Sequence, residues 1–170
     1  GSLGKELTQG LMLALENVQM MAGGRKITLI NKDDRNDPQA GVDAAKELIE
    51  KDKVDLIVGP SHTHVLLAIR SLIHDTKTIL VNPNAGSAQA AGSLCSPYII
   101  STCRMNPLFP EAMGRYLAKK EVKNVVVLAE NFAAGLDIVA GFKETFLREG
   151  SGKIVGEFLP PLNATAFSPF

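Results

Sequence analysis

Few residues in this sequence stand at spacings that could do covalent or metal chemistry. His62 and His64 form an H-x-H pair close enough to share a metal ion. Two imidazoles make a weak site, and no carboxylate or thiol lies nearby in sequence to complete it. Asp33-Asp34 follows an expected strand and could hold Mg²⁺ as the acidic pair of a receiver- or flavodoxin-like protein does. That site would also need an Asp at a later strand end, where the chain has Gly59-Pro60 instead. A solvated acidic loop ahead of the helix cap Asp37 is the plainer reading. The glycine cradles of nucleotide sites, G-x-G-x-x-G after a strand and G-x-x-x-x-G-K-[ST], are missing, as is the G-x-S-x-G nucleophile elbow. His74, near the negative end of a helix dipole, is expected on the surface. Asn163-Ala164-Thr165 matches a glycosylation sequon, a pattern common by chance. Cys95 and Cys103 flank an extended segment, which argues against a disulfide between them.

What remains are three loops rich in small and hydroxylic residues: Gly59 to Thr63, Asn82 to Ser87, and Glu130 to Gly135. Backbone N–H groups, a hydroxyl and a helix N-terminus in such loops suit an anion such as a carboxylate. Ordinary βα turns have similar composition, so the local residues alone leave both readings open.

These loops need elements to position them. Apolar spacing predicts a helix from Leu3 to Met21, closed by Gly23-Gly24. Lys26 to Asn31 alternates polar and apolar and reads as a half-buried strand. Asp37-Pro38 starts a helix that runs to about Lys51. Val54 to Val58 and Thr78 to Val81 read as buried strands, with a helix from His64 to His74 between them. A short helical turn is expected at Ala88 to Gly92, then a strand at Tyr98 to Thr102 and a helix at Pro107 to Lys120. Asn124 to Ala129 is a strand, Leu136 to Glu149 a helix, and Ile154 to Phe158 a strand ended by Pro160-Pro161. Ser168-Pro169 reads as the start of another helix. Strands alternating with helices imply an α/β fold, doubly wound around a mostly parallel sheet. Ligands bind at the carboxyl ends of such strands, where the three loops fall.

Composition bounds the partners. Of 170 residues, 45% are hydrophobic and 21% charged, ordinary for a globular chain. Lys plus Arg number 18 and Asp plus Glu 18, so no basic surplus exists to neutralise nucleic acid.

The order of several short pieces carries more. Gly24-Arg25-Lys26-Ile27, Asp33-Asp34 with Asp37-Pro38, Val58-Gly59-Pro60, Cys95-Ser96-Pro97-Tyr98, Asn131-Phe132-Ala133-Ala134-Gly135, and Pro161-Leu162-Asn163 with Phe167-Ser168 follow one another along the chain. Together they resemble the type I periplasmic solute-binding proteins of the branched-chain amino acid (Leu/Ile/Val-binding) ABC transporter group. The resemblance covers essentially the whole chain. It implies two flavodoxin-like lobes closing on a small carboxylate, a branched-chain or hydrophobic amino acid or an aromatic acid, and delivery to a membrane ABC permease. It implies a periplasmic location, or a lipid-anchored extracytoplasmic one, with no catalytic residue, metal or cofactor. Residues 3–120 would be the first lobe lacking its first strand, and 121–170 the beginning of the second, as if truncated at both ends. Ligand-binding positions map onto Ser61, His62 and Thr63, onto Asn84, Ala85 and Gly86, and onto Phe132.

Three features depart from the group. His62 and His64 replace small residues, Phe132 replaces a Tyr, and Cys103-Arg104-Met105-Asn106 replaces a Ser/Trp-rich stretch. Strands left without a neighbour invite pairing with a second copy, so a homodimer or swapped assembly is expected. A sensing domain of a regulator or receptor with the same fold is the alternative to a transport role.

Overall fold

The computed structural model describes residues 2–162 and 164–166. Asn163, part of the sequon and of the Pro-Leu-Asn piece, and the expected helix start at Ser168-Pro169 lie outside them. The elements run α1 (Ser2–Asn17), β1 (Met21–Ala22), β2 (Arg25–Lys26), α2 (Pro38–Lys46), β3 (Leu56–Val58), α3 (Thr63–Thr76) and β4 (Ile79–Asn82). They continue with α4 (Ala88–Ala91), β5 (Ile99–Ser101), α5 (Leu108–Lys119), β6 (Asn124–Leu128), α6 (Ala133–Glu149) and β7 (Lys153–Phe158). The chain forms two compact units, one of residues 1–85 and 96–102, the other of 86–95 and 103–170. The helix expected with the first lobe, α5, therefore belongs to the second unit.

In the first unit the parallel sheet has the order β3-β4-β5, with Leu56 opposite Ile79 and Leu80 opposite Ile99. Leu80, on the central strand, is fully buried. Val65, Leu66, Ile69 and Ile73 form the buried stripe of α3, at the spacing that puts apolar side chains on one helix face. Helix α2 starts as expected, with Asp37 Oδ1 accepting the Ala40 N–H at 2.8 Å and Pro38 in the first turn. A π-helical stretch, Glu47–Lys51, carries it to the expected end. Gly41 lets α2 approach α3 closely, since a Cβ there would lie 2.5 Å from Val65 Cγ1.

Three expectations fail in this unit. The strand expected as buried over Val54–Val58 forms β3 at one end of the sheet order and leaves Leu56 and Val58 exposed. The strand expected over Lys26–Asn31 shrinks to β2, which pairs antiparallel with β1 through a turn at Gly23 and Gly24, both at positive φ. Residues 27–31 join no ladder among the described residues, and Leu29 and Ile30 are exposed. Alternation marks a chain suited to pleating, but a strand exists only through a partner's hydrogen bonds. His74, expected on the surface, is half-buried: its Nδ1 lies 3.0 Å from Ser96 Oγ and its ring meets Tyr98 edge-on at 6.1 Å.

In the second unit β6 and β7 are parallel, with a register shift between Val125 and Val126. Phe142 and Phe146 of α6 stack with centroids 5.4 Å apart, and Ala118, Leu117, Val122, Val125, Val127 and Ile154 pack around them. Helix α5 lies against α6 through Gly114, where an added Cβ would overlap Thr145 Oγ1 and sit 2.6 Å from Phe142 O. Thr145 Oγ1 in turn donates to Glu111 O at 2.9 Å.

Candidate functional site

The carboxyl ends of β3 and β4 carry two of the three loops. After β3, the Gly59 N–H donates to Val81 O at 2.9 Å, extending the ladder by one bond. Gly59 has a φ of +140°, a conformation that glycine adopts without strain. The chain then enters α3 with His62 at the N-cap, its side chain making no capping bond, and Thr63 at the first helical position, 2% exposed. Ser61 Oγ lies 2.8 Å from His62 Nδ1.

Asn82, which composition marks only as loop, organises the turn after β4. Asn82 is fully buried, and its Oδ1 accepts the N–H groups of Ala85 at 2.8 Å and Asn84 at 3.3 Å. Its Nδ2 donates to Ala85 O at 2.9 Å and to Ser101 Oγ at 3.0 Å. An Asn side chain bonding the backbone two and three residues on is an Asx-type turn, and Asn-Pro-Asn after an apolar strand was the available signal. Asn84 Nδ2 donates to Ser61 O at 2.7 Å, which joins the two loops. So Ser61, His62, Thr63, Asn84 and Ala85 form one cluster at the β3 and β4 ends.

Gly86 and Phe132 belong to the second unit. Gly86 is buried, and its carbonyl accepts the Asn106 N–H at 2.7 Å. Phe132 is the N-cap of α6 and forms no side-chain capping bond. Gly135, one turn in, packs on the Glu130 carbonyl where a Cβ would not fit.

The His62 and His64 rings lie 5.7 Å apart. His64 Nε2 is 3.1 Å from Asn36 O, and since a carbonyl only accepts, Nε2 is assigned as the protonated nitrogen. Burial holds the His62 pKa below the ordinary histidine value, the neighbouring His64 adds to this, and Asp34 opposes it. Among the described residues no group of three or more His, Cys, Asp or Glu could hold a metal ion. Asp33 and Asp34 instead serve turns, each accepting an N–H two residues on, from Arg35 and Asn36 respectively, at 2.9 Å. Chemically, the loop cluster offers hydrogen-bond donors at the N-terminus of a 14-residue helix, where backbone N–H groups and the dipole favour an anion.

The profile of a family described as periplasmic binding protein matches residues 1–170, the full chain. The chain belongs to the periplasmic binding protein family. It is 24% identical to the Leu/Ile/Val-binding protein BraC3 of Rhizobium johnstonii over 161 residues, 93% of this chain and 43% of that one. A solute-binding protein of an ABC transporter from R. palustris, solved in complex with benzoate, superposes with a TM-score of 0.90 at 27% identity, over 98% of this chain and 46% of that one. One from Rhodopseudomonas palustris BisB5, in complex with 3,4-dihydroxybenzoic acid, gives 0.89 at 33% identity, over 99% and 46%. This periplasmic binding protein therefore spans less than half the length of these relatives. No helix among its described residues is long and apolar enough to cross a membrane.

Proposed function

We propose that the chain is the ligand-binding part of an extracytoplasmic solute-binding protein, which takes up a small carboxylate without catalysis and passes it to a membrane ABC permease. The ligand class is an aromatic acid or a branched-chain or hydrophobic amino acid. The observation that carries this reading is the joined loop pair of the first unit, with Ser61, the start of α3 and Asn84 within hydrogen-bonding reach of one another. Family membership supports it, as do the complexes of the two similar R. palustris proteins, one with benzoate and the other with 3,4-dihydroxybenzoic acid. Ser61 and Thr63 would supply hydroxyls, Asn84, Ala85 and Gly86 backbone, and Phe132 an apolar wall. His62 would stand beside the carboxylate. No cofactor or metal enters this reading, and the balanced charge argues against nucleic acid. The comparisons lend no support to a self-paired assembly.

Calorimetric titration of the purified chain with benzoate, 4-hydroxybenzoate and L-leucine tests the reading. Saturable one-to-one binding of at least one of them, weakened by Ser61→Ala at unchanged unfolding temperature, is the expected result. No binding by any of the three would overturn it.

A further inference from the structure

The backbone from Gly86 to Ala88 is held by a side chain far away in sequence. Asp137, on α6 and five residues after Phe132, accepts the Ala88 N–H at 3.2 Å and Asn106 Nδ2 at 3.1 Å, both through Oδ2. Asn106 closes the set by donating its own N–H to Gly86 O at 2.7 Å. Gly86 fits tightly here: a Cβ would lie 2.8 Å from Asn106 Oδ1, 3.0 Å from Asn106 N, and closer still to Arg104 O. Ser87 Oγ then caps α4 by accepting the Ala90 N–H at 3.1 Å.

The Ala85–Gly86 peptide is one of the places where the chain passes from one compact unit to the other. On one side Asn82 grips Ala85, and on the other Asp137 and Asn106 grip Gly86 to Ala88.

We propose that Asp137 is a positioning residue for ligand binding, fixing the Gly86–Ala88 backbone, which carries the candidate Gly86, before a ligand arrives. Hydrogen bonds to a carboxylate are stronger than neutral ones, so one oxygen holding two donors is an effective tether. A loop already ordered loses less conformational freedom on binding, and that saving appears as affinity. The proposal rests on the solute-binding reading above.

Two variants test it from opposite ends of one bond. Asp137→Ala removes the acceptor. Ala88→Pro removes the donor, at the first helical position of α4, where proline is well tolerated and where Ser87 is already extended. Amide exchange in Asp137→Ala should accelerate roughly tenfold at Ala88 and Ala90, with Val125 to Leu128 unchanged, as expected for loss of a charge-assisted bond. Each variant should weaken roughly tenfold the binding of whichever of benzoate, 4-hydroxybenzoate or L-leucine the unaltered chain takes up, and the double variant no further than about twofold beyond the worse single one. Unchanged exchange at Ala88, or losses that add fully in the double variant, would overturn the proposal. Should Asp137→Ala fail to fold, Asp137→Asn, which keeps one acceptor oxygen, takes its place with smaller changes expected in the same direction. Should the unaltered chain bind none of benzoate, 4-hydroxybenzoate and L-leucine, the solute-binding reading falls, and the exchange result alone decides whether Asp137 holds this backbone.

Discussion

Asn82 holds Ala85 by both of its backbone polar groups, accepting from its N–H at 2.8 Å and donating to its carbonyl at 2.9 Å. The side-chain amide does locally what a neighbouring strand does in a ladder, at the point where β4 stops. Because both residues are buried, water cannot replace these bonds.

Asn82→Ala leaves the Ala85 N–H and carbonyl without this partner. Each buried unsatisfied group costs about 1–3 kcal/mol, so the substitution is expected to destabilise by about 2–4 kcal/mol. Denaturant unfolding followed by circular dichroism measures this. A loss below about 0.5 kcal/mol would show that the clamp contributes little.

Two glycines on helices should respond in opposite directions. Gly114 sits where α5 meets α6, and the methyl of Gly114→Ala would overlap Thr145 Oγ1, forcing the helices apart at a cost of about 1–3 kcal/mol. Gly10, inside α1, has nothing within 4 Å of an added Cβ, so Gly10→Ala should stabilise by about 0.5–1 kcal/mol through helix propensity. Midpoints shifting in the same direction would contradict the packing described for α5 and α6.

Burial lowers the His62 pKa below its unfolded value, with His64 adding to the effect. A histidine of this kind binds a proton more readily in the unfolded chain. Its contribution is therefore intact above the unfolded pKa of about 6.5 and is lost as pH falls through the lowered folded value. Melting temperatures of the unaltered chain and of His62→Gln, compared from pH 8 to pH 5, should change in their difference only below about pH 6.5. There the unaltered chain loses stability faster. A difference that is flat across this range would remove His62 from the acid response.

Phe132 occupies the N-cap of α6, where Ser, Thr, Asp and Asn are favoured because they bond the helix's first N–H groups. Phe132→Asp should stabilise the chain by about 0.5–2 kcal/mol, through a cap bond and the helix dipole. Under the proposed function it should also weaken binding of benzoate roughly tenfold by removing an apolar wall. Calorimetry and thermal unfolding on the same samples separate the two effects. A gain in stability with undiminished binding would take Phe132 out of the site.

Much of this protein was readable from residues alone, where the signal is local. Asp37-Pro38 specifies a capped helix start because an Asp side chain reaches the N–H three residues on and proline lacks the donor that a first turn leaves unused. The apolar stripe of α3 and the run Val125-Val126-Val127-Leu128 declare a helix face and a strand through period and β-branching, and the alternation of such elements declares an α/β fold. The loops at the ends of β3 and β4 could be named as candidates from their composition and position.

Other features depend on which distant groups meet, and residue types do not encode that locally. Lys26 to Asn31 has the alternation of a strand but forms only β2, because pairing needs a partner's N–H and C=O groups. His74 is half-buried because Ser96 and Tyr98, more than 20 residues on, pack against it. The bonds from Asp137 to Asn106 and Ala88 span 31 and 49 residues and exist only once the tertiary fold has formed.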